Sequence, residues 1–211
     1  MIISIEGNIG AGKSSLLRIL QERNKTWSTH LEPIERWQSI GKQKSNLLKD
    51  FYINPAAKAL ALQTWITLTK FEQIQIMKRD KINIIERSIN TDREIFAITN
   101  MERGILGEQE FCVYDKLFDT LTKNFEIEPD ATIYIKSSPR RAIYNIGKRN
   151  RPEEREIPLG YIDTLSLKHD EFIAKLKSPV LVIDTAIEDI YHHETLQRVE
   201  EFINLLAPNN V

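Results

Sequence analysis
The chain has 211 residues, enough for one domain with a full sheet core, and 29 basic against 30 acidic residues give a formal net charge of −1. That balance excludes a surface built to coat nucleic acid, which needs a basic excess, while 41% hydrophobic and 28% charged residues fit a globular protein. The single cysteine, Cys112, excludes an intrachain disulfide, and no run approaches the ~20 apolar residues that span a bilayer. Cys112 itself is expected as a small buried hydrophobe. The first apolar run, MIISIEG, is too short for a signal peptide and contains Glu6. A soluble intracellular protein is expected, in the cytoplasm and without membrane or nucleic-acid partners. No repeat, low-complexity tract or linker divides residues 1–211, which read as one domain.

In chain order, Ile2 to Ile5 read as a buried strand followed by a Gly-rich turn. Lys13 to Arg23 read as a helix with Leu16, Leu17 and Leu20 on one face. Thr29 to Leu31 read as a second strand ending at Glu32-Pro33. Pro55 suits a first helical turn and opens a long helix to Arg79. Ile82 to Ile85 form a third strand, with Glu86-Arg87-Ser88 at its end. A helix is expected from about Gly107 to Phe125, a strand from Ala131 to Ile135, and helices beginning at Pro139 and Pro158. Val180 to Ile183 form a fifth strand, and a helix covers Glu188 to Leu206. Short apolar strands alternating with helices predict an α/β fold, a parallel five-stranded sheet with helices on both faces. Ligands in such folds sit beyond the carboxyl ends of the strands.

Gly7-Asn8-Ile9-Gly10-Ala11-Gly12-Lys13-Ser14 matches the phosphate-loop pattern G-x-x-x-x-G-K-[ST], between a strand and a helix. Its backbone N–H groups and helix N-terminus suit phosphate oxygens. Lys13 reaches β- and γ-phosphates, and the Ser14 hydroxyl suits Mg²⁺. The motif implies a bound nucleoside triphosphate and leaves the reaction open. Glu32, at the end of the second strand, is placed to accept a hydroxyl proton. Glu86 suits Mg²⁺, directly or through water, and Arg87 suits charge on a transferred phosphoryl group. Lys148, Arg149, Arg151, Glu153, Glu154 and Arg155 form a dense polar loop. Alone it reads as a solvated turn; beside a phosphate loop it suits closure over a triphosphate.

These segments together resemble the deoxynucleoside kinase family. GNIGAGKSS is similar to its phosphate loop, LEPIERW to its substrate-carboxylate segment, and ERS to its strand-end motif. NLLKDFYINP and LQTWITLT resemble its substrate helices, and KRNRPEEREIPLGYI its arginine-rich lid. They run in family order from Ile3 to about Ile162. The resemblance implies a P-loop kinase fold, a homodimer, ATP or another triphosphate as donor, and phosphorylation of a deoxynucleoside 5′-hydroxyl. It further implies Glu32 as general base, Arg87 near the 5′-hydroxyl, Glu86 on the Mg²⁺ side, and Ser15, Arg149 and Arg151 at the phosphates. Tyr52 and Glu154 would bond the 3′-hydroxyl and Gln63 the base edge. Ile9, Trp37, Phe51, Leu62 and Phe96 would form apolar walls, with Phe96 stacking on the base. The chain departs from the family at Asn145, where many members carry a further lid arginine, and at Leu62, where an aromatic is common.

Lys70 and Asp92 fall where cytidine- and purine-type members carry an arginine–aspartate pair. An ionised Asp92 accepts from an exocyclic amino group and offers nothing to the O4 carbonyl of thymine, so deoxycytidine or a deoxypurine is expected over thymidine. Two alternatives use a phosphate loop as well: a nucleoside monophosphate kinase such as thymidylate kinase, and a non-catalytic nucleotide-binding module. The first leaves the NLLKDFYINP and LQTWITLT segments without a role; the second leaves Glu32 without one.

Overall fold
The computed structural model describes residues 1–123, 125 and 127–207. The strands are β1 (Ile2–Glu6), β2 (Ser28–His30), β3 (Asn83–Glu86), β4 (Ala131–Lys136) and β5 (Val180–Asp184). The helices begin with α1 (Lys13–Arg23), α2 (Ile34–Trp37), α3 (Leu47–Ile53), α4 (Pro55–Gln75) and α5 (Ile89–Thr91). A π-helical turn (Asp92–Ala97) leads into α6 (Ile98–Glu102) and α7 (Glu108–Thr122). After β4 come α8 (Pro139–Arg149), a 3₁₀ turn (Pro152–Glu154) and α9 (Leu159–Lys175); α10 (His193–Leu206) follows β5.

The five strands form one sheet in the order β2-β3-β1-β4-β5, and every pairing is parallel. β1 and β3 are buried along their whole length, as strands covered on both faces must be. Side-chain alternation along β1 divides the layers. Ile3 and Ile5 pack with Leu16, Leu17 and Leu20 of α1 and with Val199 and Ile203 of α10. Ile2 packs on the opposite face with Phe71 and Ile74 of α4 and with Tyr114 and Phe118 of α7. No helix among the described residues is long and apolar enough to cross a membrane.

The expected α/β sheet and its five strands are present. Several boundaries differ, each for a local reason. The long helix from Pro55 stops at Gln75, short of Arg79, because the Asn83 carboxamide donates to Lys78 O at 2.9 Å and Lys81 O at 3.1 Å and holds that stretch as a turn. The last helix starts at His193 and not at Glu188. There Asp184 Oδ1 accepts from Ala186 N at 2.9 Å and Asp189 Oδ1 from Tyr191 N at 3.0 Å, closing two turns that compete with helix. β2 begins one residue before the expected Thr29 and excludes Leu31, which is exposed. α7 ends at Thr122; Asn124, inside the expected helix, lies outside the described residues. Cys112 sits on the exposed side of α7 and is not the buried hydrophobe expected.

Three strands deliver functional side chains at their carboxyl ends. β1 runs into the phosphate loop, β2 into Glu32, and β3 into Glu86 and Arg87. Glu6, at the end of β1, is itself buried and accepts from Ser88 N and Thr91 Oγ1, both at 2.7 Å. These two charge-assisted bonds lock the segment after β3 onto the central strand, and with it Arg87.

Candidate active site
The phosphate loop leaves β1 with φ of +144° at Gly7, +77° at Gly10 and +105° at Gly12. A Cβ at Gly10 would collide with the Ala142 carbonyl of α8, so the loop passes that helix only as glycine. The Asn8 carboxamide donates to Ile162 O at 2.8 Å and Ser166 Oγ at 2.7 Å, tying the loop to α9. Lys13 Nζ donates to Asn8 O at 2.8 Å across the loop. Burial, reinforced by Arg87, pulls the Lys13 ammonium down to about 7, so this group gains from an arriving polyanion. Ser14 Oγ donates to Glu86 Oε1 at 2.7 Å, which brings together the two side chains expected at a metal. An open outer cavity bounded by Ala11, Gly12, Ser15, Lys148, Arg149 and Arg151 lies over this loop. Asn145 donates to Gly10 O at 2.8 Å, so the position that departs from the family holds the loop.

A second pocket opens beside Lys13. Ile9, Trp37, Phe51, Leu62 and Phe96 all line it, as expected of apolar walls. Trp37 is fixed by an Nε1–H bond to Thr69 Oγ1 at 2.9 Å. Glu32 faces the pocket and accepts from Arg87 NH1 at 2.8 Å, with Lys70 Nζ at 3.3 Å. Burial raises the Glu32 carboxyl, but Arg87, Lys70 and Lys13 together outweigh it and hold the group at about 2. Arg87 has a left-handed backbone, φ +58°, costly for a non-glycine residue and tolerated here because its surroundings fix it. Its guanidinium lies 5.1 Å over the Phe96 ring.

Beyond Glu32 the pocket ends in Gln63 and Asp92. Asp92 Oδ1 accepts from Lys70 at 2.9 Å, so Lys70 stands between two carboxylates. Gln63 Oε1 and Asp92 Oδ2 are buried without a protein partner. Asp92 opens the π-helical turn and Phe96 lies in it; such turns are rare and concentrate at functional sites. Tyr52 and Glu154 both line the pocket. They are not bonded to each other: the Glu154 carboxylate is held by Arg149 and, at 2.6 Å, by Arg151.

Sequence reasoning missed Ile34, Leu48, Ile66, Asn100 and Tyr161, which also line the pocket. The apolar three read as ordinary core. Asn100, in α6, gave no sequence signal.

Burial, against the pull of Lys70, raises Asp92 to about 6. Its folded value then exceeds its unfolded one. Between about pH 4 and 6 the native chain keeps a proton that the unfolded chain releases, so this group's contribution is full below that window and lost as pH rises through it. Urea unfolding of wild type and Asp92→Asn at pH 7 and 4.5 checks the sign. The wild type should gain on the variant by roughly 1–2 kcal/mol at the lower pH; a pH-independent difference contradicts the assignment.

The deoxynucleoside kinase family model matches residues 3–206. Deoxycytidine kinase 2 of Gallus gallus is 33% identical, over 86% of this chain and 81% of that protein. Mitochondrial deoxyguanosine kinase of Xenopus laevis is 30% identical over 84% and 75%. Mitochondrial thymidine kinase 2 of Homo sapiens is 28% identical over 99% and 79%. The chain therefore belongs to the deoxynucleoside kinase family: it is a phosphotransferase that moves a phosphoryl group from a nucleoside triphosphate to a deoxynucleoside 5′-hydroxyl.

Proposed function
We propose that this enzyme acts on deoxycytidine or a deoxypurine in preference to thymidine, with ATP as donor and Mg²⁺ at the phosphates. The observation that carries the base preference is the pair of unpartnered buried acceptors, Gln63 Oε1 and Asp92 Oδ2, beyond Glu32 in the acceptor pocket. Cytosine, adenine and guanine bring an exocyclic amino group to such acceptors. Thymine brings O4 and a methyl, and leaves Asp92 Oδ2 desolvated and unpaired. Gln63 adapts to several base edges because its amide offers a donor and an acceptor.

Glu32 takes the 5′-hydroxyl proton as the oxygen attacks the γ-phosphorus. It stays ionised at neutral pH because Arg87 and Lys70 hold it so, and a loose phosphoryl-transfer transition state asks little basicity of it. Arg87 fixes the Glu32 carboxylate and stacks on Phe96, so the same residue orients the base and the acceptor end. Lys13 neutralises charge on the β/γ-phosphates. The hydroxyl of Ser14 and the carboxylate of Glu86, 2.7 Å apart, fit a metal that keeps water and phosphate as its other ligands, and would hold Mg²⁺ there. When bound, that ion would neutralise developing phosphate charge. Tyr52 and Glu154 bond the 3′-hydroxyl, and Arg149, Arg151 and Lys148 act as a lid on the donor phosphates. The whole chain works as one domain of a homodimer, the assembly the family resemblance implies, in the cytoplasm.

Two measurements check these assignments. Glu32→Gln keeps the volume and removes proton acceptance; kcat should fall ~10²–10⁴-fold while substrate affinity changes far less. An unchanged kcat removes Glu32 from the chemistry. Separately, a panel of four deoxynucleosides at equal concentration should rank thymidine last for the wild type. The paired change Lys70→Met with Asp92→Ala should raise thymidine use relative to deoxycytidine. Both changes are needed, since either alone strands a buried charge. A wild type that already prefers thymidine contradicts the base assignment.

A further inference from the structure
One carboxylate of the dense polar loop has no role in the chemistry above. Glu153 and Glu154 are neighbours in the 3₁₀ turn, yet different parts of the chain hold their side chains. Glu154 is held by Arg149 and Arg151, which also bound the cavity over the phosphate loop. Glu153 Oε1 instead accepts from Asn46 Nδ2 at 2.7 Å and from Gln38 Nε2 at 3.0 Å. Asn46 is the N-cap of α3, and Gln38 closes α2. Both amides come from one loop. It is pinched by paired bonds, Ile40 N to Ser45 O at 2.9 Å and Ser45 N to Ile40 O at 3.0 Å, and the pinch lets both amides reach a single oxygen.

Asn46 uses both ends of its carboxamide. Its Oδ1 accepts from Lys49 N at 2.9 Å and starts α3, so the Nδ2 end is the one that meets Glu153. Burial raises the Glu153 carboxyl, but the bonds from Asn46 and Gln38 outweigh it and hold the group below the usual carboxylate range. The anion is therefore kept, and a bond to an anion is stronger than one between neutral groups. α3 carries Leu48, Phe51 and Tyr52, and α2 ends at Trp37; all four line the acceptor pocket. One short turn thus grips the acceptor walls through Glu153 and the donor-side arginines through Glu154.

We propose that Glu153 is a positioning residue that couples the two substrate sites, bracing the lid turn against α3 so that a donor held by the lid arginines steadies the walls around the acceptor. The inference rests on the reading of Arg149 and Arg151 as donor contacts and of Tyr52 as an acceptor contact given above. No step of the chemistry changes. Glu153 acts through Asn46, Gln38 and the turn, and contacts neither substrate. What it supplies is a coupling between sites, so each substrate tightens the other by the same factor.

The test is the Kd of deoxycytidine for the whole chain by titration calorimetry, with and without the Mg²⁺ complex of the β,γ-imido analogue of ATP, which does not transfer its phosphoryl group. In the wild type the analogue should tighten deoxycytidine about five-fold or more. In Glu153→Ala that factor should fall towards one. Asn46→Ser keeps a capping oxygen for α3 and removes the Nδ2 donor, so it should lose the coupling in the same way with the helix intact. Glu153→Gln still accepts from both amides and should retain part of the factor. A merely structural Glu153 would lower thermal stability and leave the factor alone. A wild type without coupling, or a factor unmoved in both Glu153→Ala and Asn46→Ser, would overturn the proposal. Two further variants keep the underlying reading separate: Tyr52→Phe should weaken deoxycytidine alone, and Arg151→Ala the analogue alone. Where one of these affinities does not move, the placement of that substrate, on which the proposal rests, is what fails.

Discussion
Four charged side chains, Glu32, Arg87, Lys70 and Asp92, are buried side by side at the pocket beside Lys13, which all but Lys70 line, each less than a tenth exposed at its side chain. None is tolerable there alone, because an isolated charge out of water costs several kcal/mol. Arg87 and Lys70 meet Glu32, and Lys70 meets Asp92, so the four neutralise one another. That requirement fixes three parts of the fold at once. Glu32 must leave β2 toward β3, Arg87 must accept a left-handed backbone, and α4 must bring Lys70 against the π-helical turn. The line of charges runs from Glu32 through Lys70 to Asp92. In the function proposed above, one network then serves the chemistry and the choice of substrate.

The sheet is the frame that makes such a network affordable in a chain of this size. Its three functional strands end on one side, where the phosphate loop, Glu32 and Arg87 converge. Glu6 and Asn8 are spent on holding that convergence, the first by bonding the segment after β3 and the second by bonding α9. Family membership sets aside the two alternatives open to a bare phosphate loop, a nucleotide acceptor and a switch without chemistry.

Much of this was legible in the sequence, and the reasons are physical. The five strand segments and the glycine spacing of residues 7–12 follow from short-range rules, and the strands lie within one residue of the expected bounds. Segment bounds were less legible, since Asn83 ends one helix and Asp189 delays the start of another through side-chain bonds to the backbone. Glu32, Arg87 and the residues named for the apolar walls line one cavity, and Ser15 and the lid arginines a second that shares Lys13, Glu86, Arg149 and Arg151 with it; Lys70 lines neither. Three features were invisible: the contact of Lys70 with Glu32 beside the expected one with Asp92, the capture of Glu154 by Arg149 and Arg151, and the burial of the Asn100 amide without a protein partner. The first depends on side chains brought together from distant segments, and the second on how the chain turns between α8 and the 3₁₀ turn.

The central claim, that these charges are stable only as a set, is tested most directly by a double-mutant cycle on Lys70 and Asp92 by urea unfolding at pH 7. Lys70→Met and Asp92→Ala should each destabilise the fold by ~3–5 kcal/mol, since each strands the partner's charge. The double variant should recover a large part of that loss, giving a coupling of at least ~1–3 kcal/mol. Strictly additive losses would mean that the two charges do not depend on each other, and the account built on their pairing would be wrong.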